Sequence, residues 1–292
     1  MKKYILLSTA LIIVTSAFAQ DDSTAVQNYD TLKVGNYIIL NKKSNDTDTK
    51  NVKEKKKKSI NVDISFGKNS NKKKNPNLST NWWVFDIGFT NLRDQTNYTS
   101  AQAGNYLQTI KNGPVTENSM SLINRKSSNF NIWFFMQKLN ISNHQLNLKY
   151  GLGLEMYNFR YERNLSYRKD PFNYVFNDSI NFSKNKLYAG YITVPVMLNF
   201  NPTPSKNKGF SASAGMSFGY LISSRNKQIS SERGKQKISG NFDLEPFRVA
   251  TIAELGLGPV RLYGSYSLNS LHKASTGLQQ YPYVIGVRLS NW

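Results

Sequence analysis

The chain of 292 residues contains no cysteine and only two histidines. Without cysteine there are no disulfides and no thiolate metal sites. His144 and His272 are not at ligand spacing, so no metal and no other cofactor is expected. No phosphate-cradling glycine loop occurs either, because the Gly-x-Gly pairs fall in strand-like segments, where they let a sheet curve. Acidic residues are scarce, with 18 Asp and Glu against 38 Lys and Arg, a net charge of +20. Such an excess points to anionic surfaces such as nucleic acid, phosphorylated lipid or acidic polymer.

The first residues, MKKYILLSTALIIVTSAFAQ, narrow that choice. Lys2 and Lys3, an apolar run and Ala17-Phe18-Ala19 have the order of a secretory signal peptide over 1–19. The apolar run is short against the roughly 20 residues of a membrane-anchoring helix. No cysteine follows the cleavage point, which excludes a lipid anchor. A secreted destination removes nucleic acid from the expected partners. Cleavage takes two lysines away and leaves +18.

Residues 20–81 read as a basic, mostly disordered periplasmic arm and linker. From Asp21 to Thr80 there are 13 Lys against 6 Asp and 1 Glu, and only Thr31 to Leu40 has strand character. From Trp82 the texture changes to alternation of apolar and polar residues, the period of a strand. Eight segments are predicted: 82–90, 129–141, 145–159, 187–200, 209–222, 247–257, 260–271 and 281–292. Most are longer than the usual five or six residues of a soluble strand. They match the roughly 9–11 residues of a tilted membrane strand. The connections alternate long and short without exception, and the short ones carry Asn, Pro and Gly. Short turns on one side and long loops on the other characterise outer-membrane barrels. The expected fold is therefore all-β: an eight-stranded antiparallel up-and-down transmembrane barrel over 82–292. A soluble sandwich would not confine every long connection to one end.

The apolar strand faces, such as Trp83, Phe85, Ile87 and Phe89 or Phe130, Ile132, Phe134 and Met136, are expected to meet lipid. In LNLKYGLGLEMYNF, Leu146, Leu148, Leu152, Leu154 and Met156 share that face. The opposite faces carry Gly and Ser with seven charges: Lys149, Arg248, Arg261 and Arg288 against Asp86, Glu155 and Glu254. Buried charges persist when paired, and an eight-stranded barrel is just wide enough for side chains to fill. A closed lumen held by an ion-pair network is expected, rather than an open water-filled pore. Lys149 and Glu155 are too far apart along their strand to pair with each other, so their partners are expected on neighbouring strands, among Asp86, Arg248, Arg261 and Arg288. Pro195 lies inside a strand, where a bulge is expected. Trp292 falls off the phase of the last strand.

VFDIGFTNL, YITVPVMLNF, SAGMSFGYL and the arm stretch DTLKVGNYIIL ahead of a lysine-rich linker together resemble the PorT-like outer-membrane β-barrel proteins of Bacteroidota. The resemblance covers 82–292 and loosely the arm. It implies a small integral outer-membrane barrel, some of whose relatives are linked to protein export, and carries over no catalytic motif. A structural or interaction role in an envelope complex is the expected function, with a narrow ion or solute channel as the alternative. A rim hydrolase built on His272 with Ser270, Ser275 or Asp243 is the third reading. The basic patches suggest anionic lipid: Lys55, Lys56, Lys57 and Lys58 in the arm for inner-leaflet headgroups, and Arg163, Arg168, Lys169, Lys235 and Lys237 in outer loops for lipopolysaccharide phosphates. Other envelope proteins are the remaining expected partners.

Overall fold

The computed structural model describes residues 30–34, 37–41, 76–110, 112–204, 209–257 and 260–290. The chain divides into two units, 1–69 and 70–292. In the first, β1 (Asp30–Val34) and β2 (Tyr37–Asn41) form an antiparallel hairpin within the one arm stretch that has strand character. The signal peptide, the disorder expected of the arm, Lys55 to Lys58 and Trp292 lie outside the described residues.

The second unit is an antiparallel barrel. Its strands are β3 (Leu78–Asp94), β4 (Ser128–Ser142), β5 (Leu146–Arg160), β8 (Lys184–Phe200), β9 (Phe210–Ser230), β11 (Phe247–Leu257), β12 (Val260–Ser267) and β13 (Gln280–Leu289). Each pairs with the next, and β13 pairs back onto β3, so these eight strands close with no free edge. β3 begins at Leu78, four residues before the expected start. The long connections contain the short helix α1 (Ala101–Tyr106) and the hairpin of β6 (Leu165–Arg168) and β7 (Tyr174–Asn177). Above the level of β11, β9 continues to Ser230 and returns as β10 (Gly234–Ser239). The turn Ser142-Asn143-His144-Gln145 joins β4 to β5 with φ of 50° and 56° at its two central residues. Those are the left-handed values of a type I′ hairpin turn, which matches strand twist.

Alternation sets the two faces. Ile87, Phe89, Val194, Val196, Leu198, Phe218, Leu262, Ile285 and Leu289 stand exposed on the outside. Aromatic residues bracket this band, with Trp82, Trp83, Phe200 and Phe210 at the short-turn end and Tyr220 and Phe247 toward the long-loop end. From Phe200 to Tyr188 β8 climbs about 40 Å, or about 30 Å after a tilt near 40°. That is the thickness a bilayer requires.

Two local expectations fail. β4 carries a register shift between Trp133 and Phe135, which turns Met136 inward, 0% exposed, instead of toward lipid. An extra residue in a strand flips the phase of everything after it. Opposite it, Trp83 adopts a φ of 56°, and both Trp82 and Trp83 point outward, 67% and 61% exposed. Pro195, in contrast, causes no bulge. The register between β5 and β8 is the same on either side of it, and the ladder only omits the pairs at Pro195 and Val194. A missing N–H interrupts hydrogen bonding without requiring an inserted residue.

Candidate functional site

All seven inward charges anticipated from the sequence are buried in the lumen. Arg288 stands directly opposite Asp86 across β13 and β3. Its Nε donates to Asp86 Oδ1 at 2.6 Å and its Nη2 to Oδ2 at 2.7 Å, a bidentate pair. Trp133 Nε1 and Asn131 Nδ2 also donate to Asp86 Oδ2, at 2.7 and 3.1 Å. Arg288 Nη1 reaches on to Glu254 Oε1, and Lys149 Nζ holds Glu254 Oε1 and Oε2 at 2.9 and 2.5 Å. A second pair, Arg248 Nη1 to Glu155 Oε2 at 2.5 Å, is braced by Ser267 Oγ on Arg248 Nε at 3.0 Å. Arg261 donates to Ser211 Oγ at 2.7 Å. The aromatic faces of Trp133 and Tyr157 cover Arg288 and Arg248 at 5.1 and 5.0 Å.

The expectation that Lys149 and Glu155 find partners on neighbouring strands is corrected by this geometry. Both sit on β5, and both partners, Glu254 and Arg248, sit on β11. β8 and β9 separate those strands in the sheet, so the pairs cross the lumen. The inner face of β9 explains how. Ser211, Ser213, Gly215, Ser217 and Gly219 line it, and their small side chains leave room for long ones to span. Close approach on the opposite wall also depends on a glycine: a Cβ at Gly153 would stand 2.7 Å from the Trp133 ring. Val84, Trp133, Met136, Met197 and Ile252 fill more of the interior with apolar atoms. The inward turn of Met136 escaped sequence reasoning because a bulge leaves no signature in apolar periodicity, whereas Trp133 keeps the inward phase of Asn131 and was hidden by being an aromatic in an aromatic run.

The long-loop end is closed by a folded cap, which the polarity of the loops did not announce. Residues of α1, β6, β7 and the β12–β13 connection join Tyr157, Phe159, Leu187 and Tyr191 of the barrel in one apolar cluster. Tyr106 donates its hydroxyl to Phe242 O at 2.6 Å, and Asn185 Nδ2 donates to Leu165 O at 2.6 Å. Asp178 fixes the β6–β7 hairpin by accepting from Ser166 Oγ at 2.8 Å and Arg233 Nη1 at 3.0 Å. Burial opposes ionisation of Asp178, but hydrogen bonds from Ser166 and the Ile180 N–H, with the Arg233 charge, outweigh it and hold the carboxyl below its usual range. Between network and cap a cavity of about 10 Å³, lined by Tyr157, Tyr191, Arg248 and Ser267, has room for roughly one water.

His272 is buried in this cap, against the rings of Tyr106 and Tyr167 at 5.9 and 6.3 Å. Among the described residues neither ring nitrogen has a hydrogen-bond partner. Ser270 Oγ donates to Leu278 O, and Asp243 pairs with Lys273 at 3.6 Å. The His272 backbone N–H donates to Ser270 Oγ at 3.4 Å, but the structure joins its imidazole to neither Ser270 nor Asp243. Burial pushes the His272 pKa from 6.5 down to about 3, against a small opposing pull from Asp94. Among the described residues no group of three or more His, Asp or Glu is placed to hold a metal ion. Of the loop cations expected to meet lipid, Arg168 lies 3.7 Å from Asp178, whereas Arg163, Lys169, Lys235 and Lys237 are exposed.

A family profile described as "Outer membrane protein beta-barrel domain" matches residues 95–273. Comparison with curated proteins found no match. Among solved structures, Ail, the attachment invasion locus protein of Yersinia pestis, is similar at 13% identity and a TM-score of 0.28. The similarity covers 71% of this chain and 97% of that one.

Proposed function

The chain belongs to the outer membrane β-barrel domain family and resides in the outer membrane, and from that premise we propose that it is a non-enzymatic barrel with a structural or interaction role in an envelope protein complex. The role is in export or assembly, as its likeness to the PorT-like group of Bacteroidota implies, with residues 1–19 serving as a signal peptide. Its partners are other envelope proteins and the lipid of the membrane, with the long-loop end facing outward and the arm in the periplasm. One observation carries this reading: the lumen is filled by cross-barrel ion pairs and sealed by a folded apolar cap. A barrel closed in this way has its outer surface, loops and arm to work with, and these are binding surfaces.

Affinity purification of the full chain from native membranes after mild cross-linking tests the proposal. A reproducible set of envelope proteins is the expected result, with no stable single-channel openings after reconstitution in planar bilayers. A chain that purifies alone, or that conducts steadily, overturns it.

A further inference from the structure

Much of the chain's cationic excess gathers at one place on the outer wall. Arg160 on β5 stands opposite Lys186 on β8, Lys186 opposite Lys227 on β9, and Lys227 opposite Lys237 on β10. Adjacent strands lie about 4.8 Å apart, so the row sets like charges side by side across four strands, an arrangement that by itself destabilises a sheet. Lys184, Arg225 and Lys235 flank it on the same face. Among the described residues none of these seven cations forms an ion pair with a carboxylate. Arg160 Nη2 and Lys186 Nζ reach only the neutral oxygens of Ser183 and Asn158, and the Nε atoms of Arg160 and Arg225 have no acceptor.

The height of the row identifies what it meets. On β8 the outward residues run Phe200, Leu198, Val196, Val194 and Ile192, all exposed and apolar, then Tyr188, then Lys186 and Lys184. On β9 they end in Tyr220 and Ile222 before Arg225 and Lys227. Arg225 lies over the Tyr188 ring at 4.6 Å. The cations thus begin where the hydrocarbon band ends, at headgroup level. Beside Arg225, where β9 parts from β11 and takes up β10, a groove of about 350 Å³ is lined by Leu221, Ile222, Ser223, Ser224 and Ser239.

We propose that this outward face of β5, β8, β9 and β10 binds the phosphate groups of a phosphorylated glycolipid of the outer leaflet, whose acyl chains lie along the apolar band below. The proposal rests on the outward orientation of the long-loop end given above. It moves the lipid contact from Arg163, Arg168 and Lys169 in the cap to the barrel wall, and keeps Lys235 and Lys237.

The test uses the full chain refolded in detergent, with diphosphoryl lipid A, dephosphorylated lipid A and inorganic phosphate as probes in a binding titration. The triple variant Lys186→Gln/Lys227→Gln/Lys237→Gln is compared with a charge-matched control on the cap and rim, Lys126→Gln/Arg163→Gln/Lys169→Gln. Heat-modifiable gel migration verifies that both variants fold. The wall variant is expected to lose on the order of 100-fold in affinity for diphosphoryl lipid A. The control is expected to keep wild-type affinity, with weak binding of the other two probes throughout. Equal loss in both variants, no loss in the wall variant, or equal binding of dephosphorylated lipid overturns the proposal. Orientation is read separately from Gln236→Cys, since the chain has no native cysteine. Labelling of intact cells by an impermeant thiol reagent supports the outward reading, and absence of labelling overturns that reading whatever the titration shows.

Discussion

Acidification should open the cap before it touches the barrel, and His272 sets the window. The residue is 1% exposed, and its imidazole has no hydrogen-bond partner among the described residues, lies edge-on to Tyr106 and stacks on Tyr167. The charge that opposes this burial is Asp94, which already accepts from the Tyr98 hydroxyl and Gln280 Nε2. Lys273, next in the chain, is taken up by Asp243. Burial lowers the folded pKa to about 3 against 6.5 in the open form. The sign follows from linkage: below 6.5 the open form takes up a proton that the closed form refuses, so closure weakens as pH falls from 6.5 toward 3. Between pH ~7.5 and ~5 this amounts to about 2 kcal/mol, or roughly a 30-fold rise in the open fraction. Hydrogen exchange by mass spectrometry, corrected for intrinsic rates, should show that rise in segments 101–107 and 268–279 and none in β8 or β9. In His272→Phe the acid dependence should vanish, and the cap should tighten slightly at neutral pH because an unpaired buried N–H is gone. An unchanged cap between the two pH values, or the same response in the variant, refutes the reasoning.

Three further predictions concern the lumen. Arg248→Met strands the Glu155 carboxylate and should cost about 3–5 kcal/mol in urea unfolding from lipid vesicles, whereas Arg248→Met/Glu155→Leu should recover most of that loss; a double variant as unstable as the single one contradicts the pairing. Trp133→Ala removes a fully buried ring and a donor to Asp86, and should cost about 3–5 kcal/mol in the same assay, with no gain in stability on raising salt. Gly153→Val places a branched side chain against the Ile132 carbonyl and the Trp133 ring and Cα, and should prevent the heat-modifiable shift of a folded barrel on gels even when Trp133→Ala accompanies it; a shift in the single variant contradicts the close approach.

What was legible in the sequence was whatever repeats along a strand. Alternation gave the lipid faces and the eight strands, because a period of two maps directly onto in and out, and the long–short pattern of the connections gave the barrel. The same period put Asp86, Lys149, Glu155, Arg248, Glu254, Arg261 and Arg288 inside. The misses occur where a single residue breaks the period. The irregularity at Phe134 turned Met136 inward, and the unpaired Trp83 opposite it has no marker other than a second adjacent tryptophan. The cap was hidden for another reason: its Tyr, Leu and Val residues are dispersed through polar loops and meet only in three dimensions. The cation row was hidden likewise, because Arg160, Lys186, Lys227 and Lys237 share a level only once the register is known.

The two sets of cations explain each other. Inside, Asp86, Glu155 and Glu254 hold Lys149, Arg248 and Arg288 in ion pairs, with Arg261 and the half-buried Lys138 on the same inner face, and two of the ion-pair contacts reach from β5 to β11 across the barrel. A contact between non-adjacent strands resists ovalisation of the ring, which ladder bonds between neighbours do not, so a buried network here does mechanical as well as electrostatic work. Its cost is repaid only if the lumen stays near neutral and dry. On the wall, the like-charged row forgoes the carboxylates that the lumen uses, although the sheet would be more stable with alternating signs. A fold that engages every inner carboxylate in an ion pair and leaves a like-charged row without carboxylates on its outer wall is the ground on which we propose that membrane phosphates, at headgroup height, supply the counter-ions.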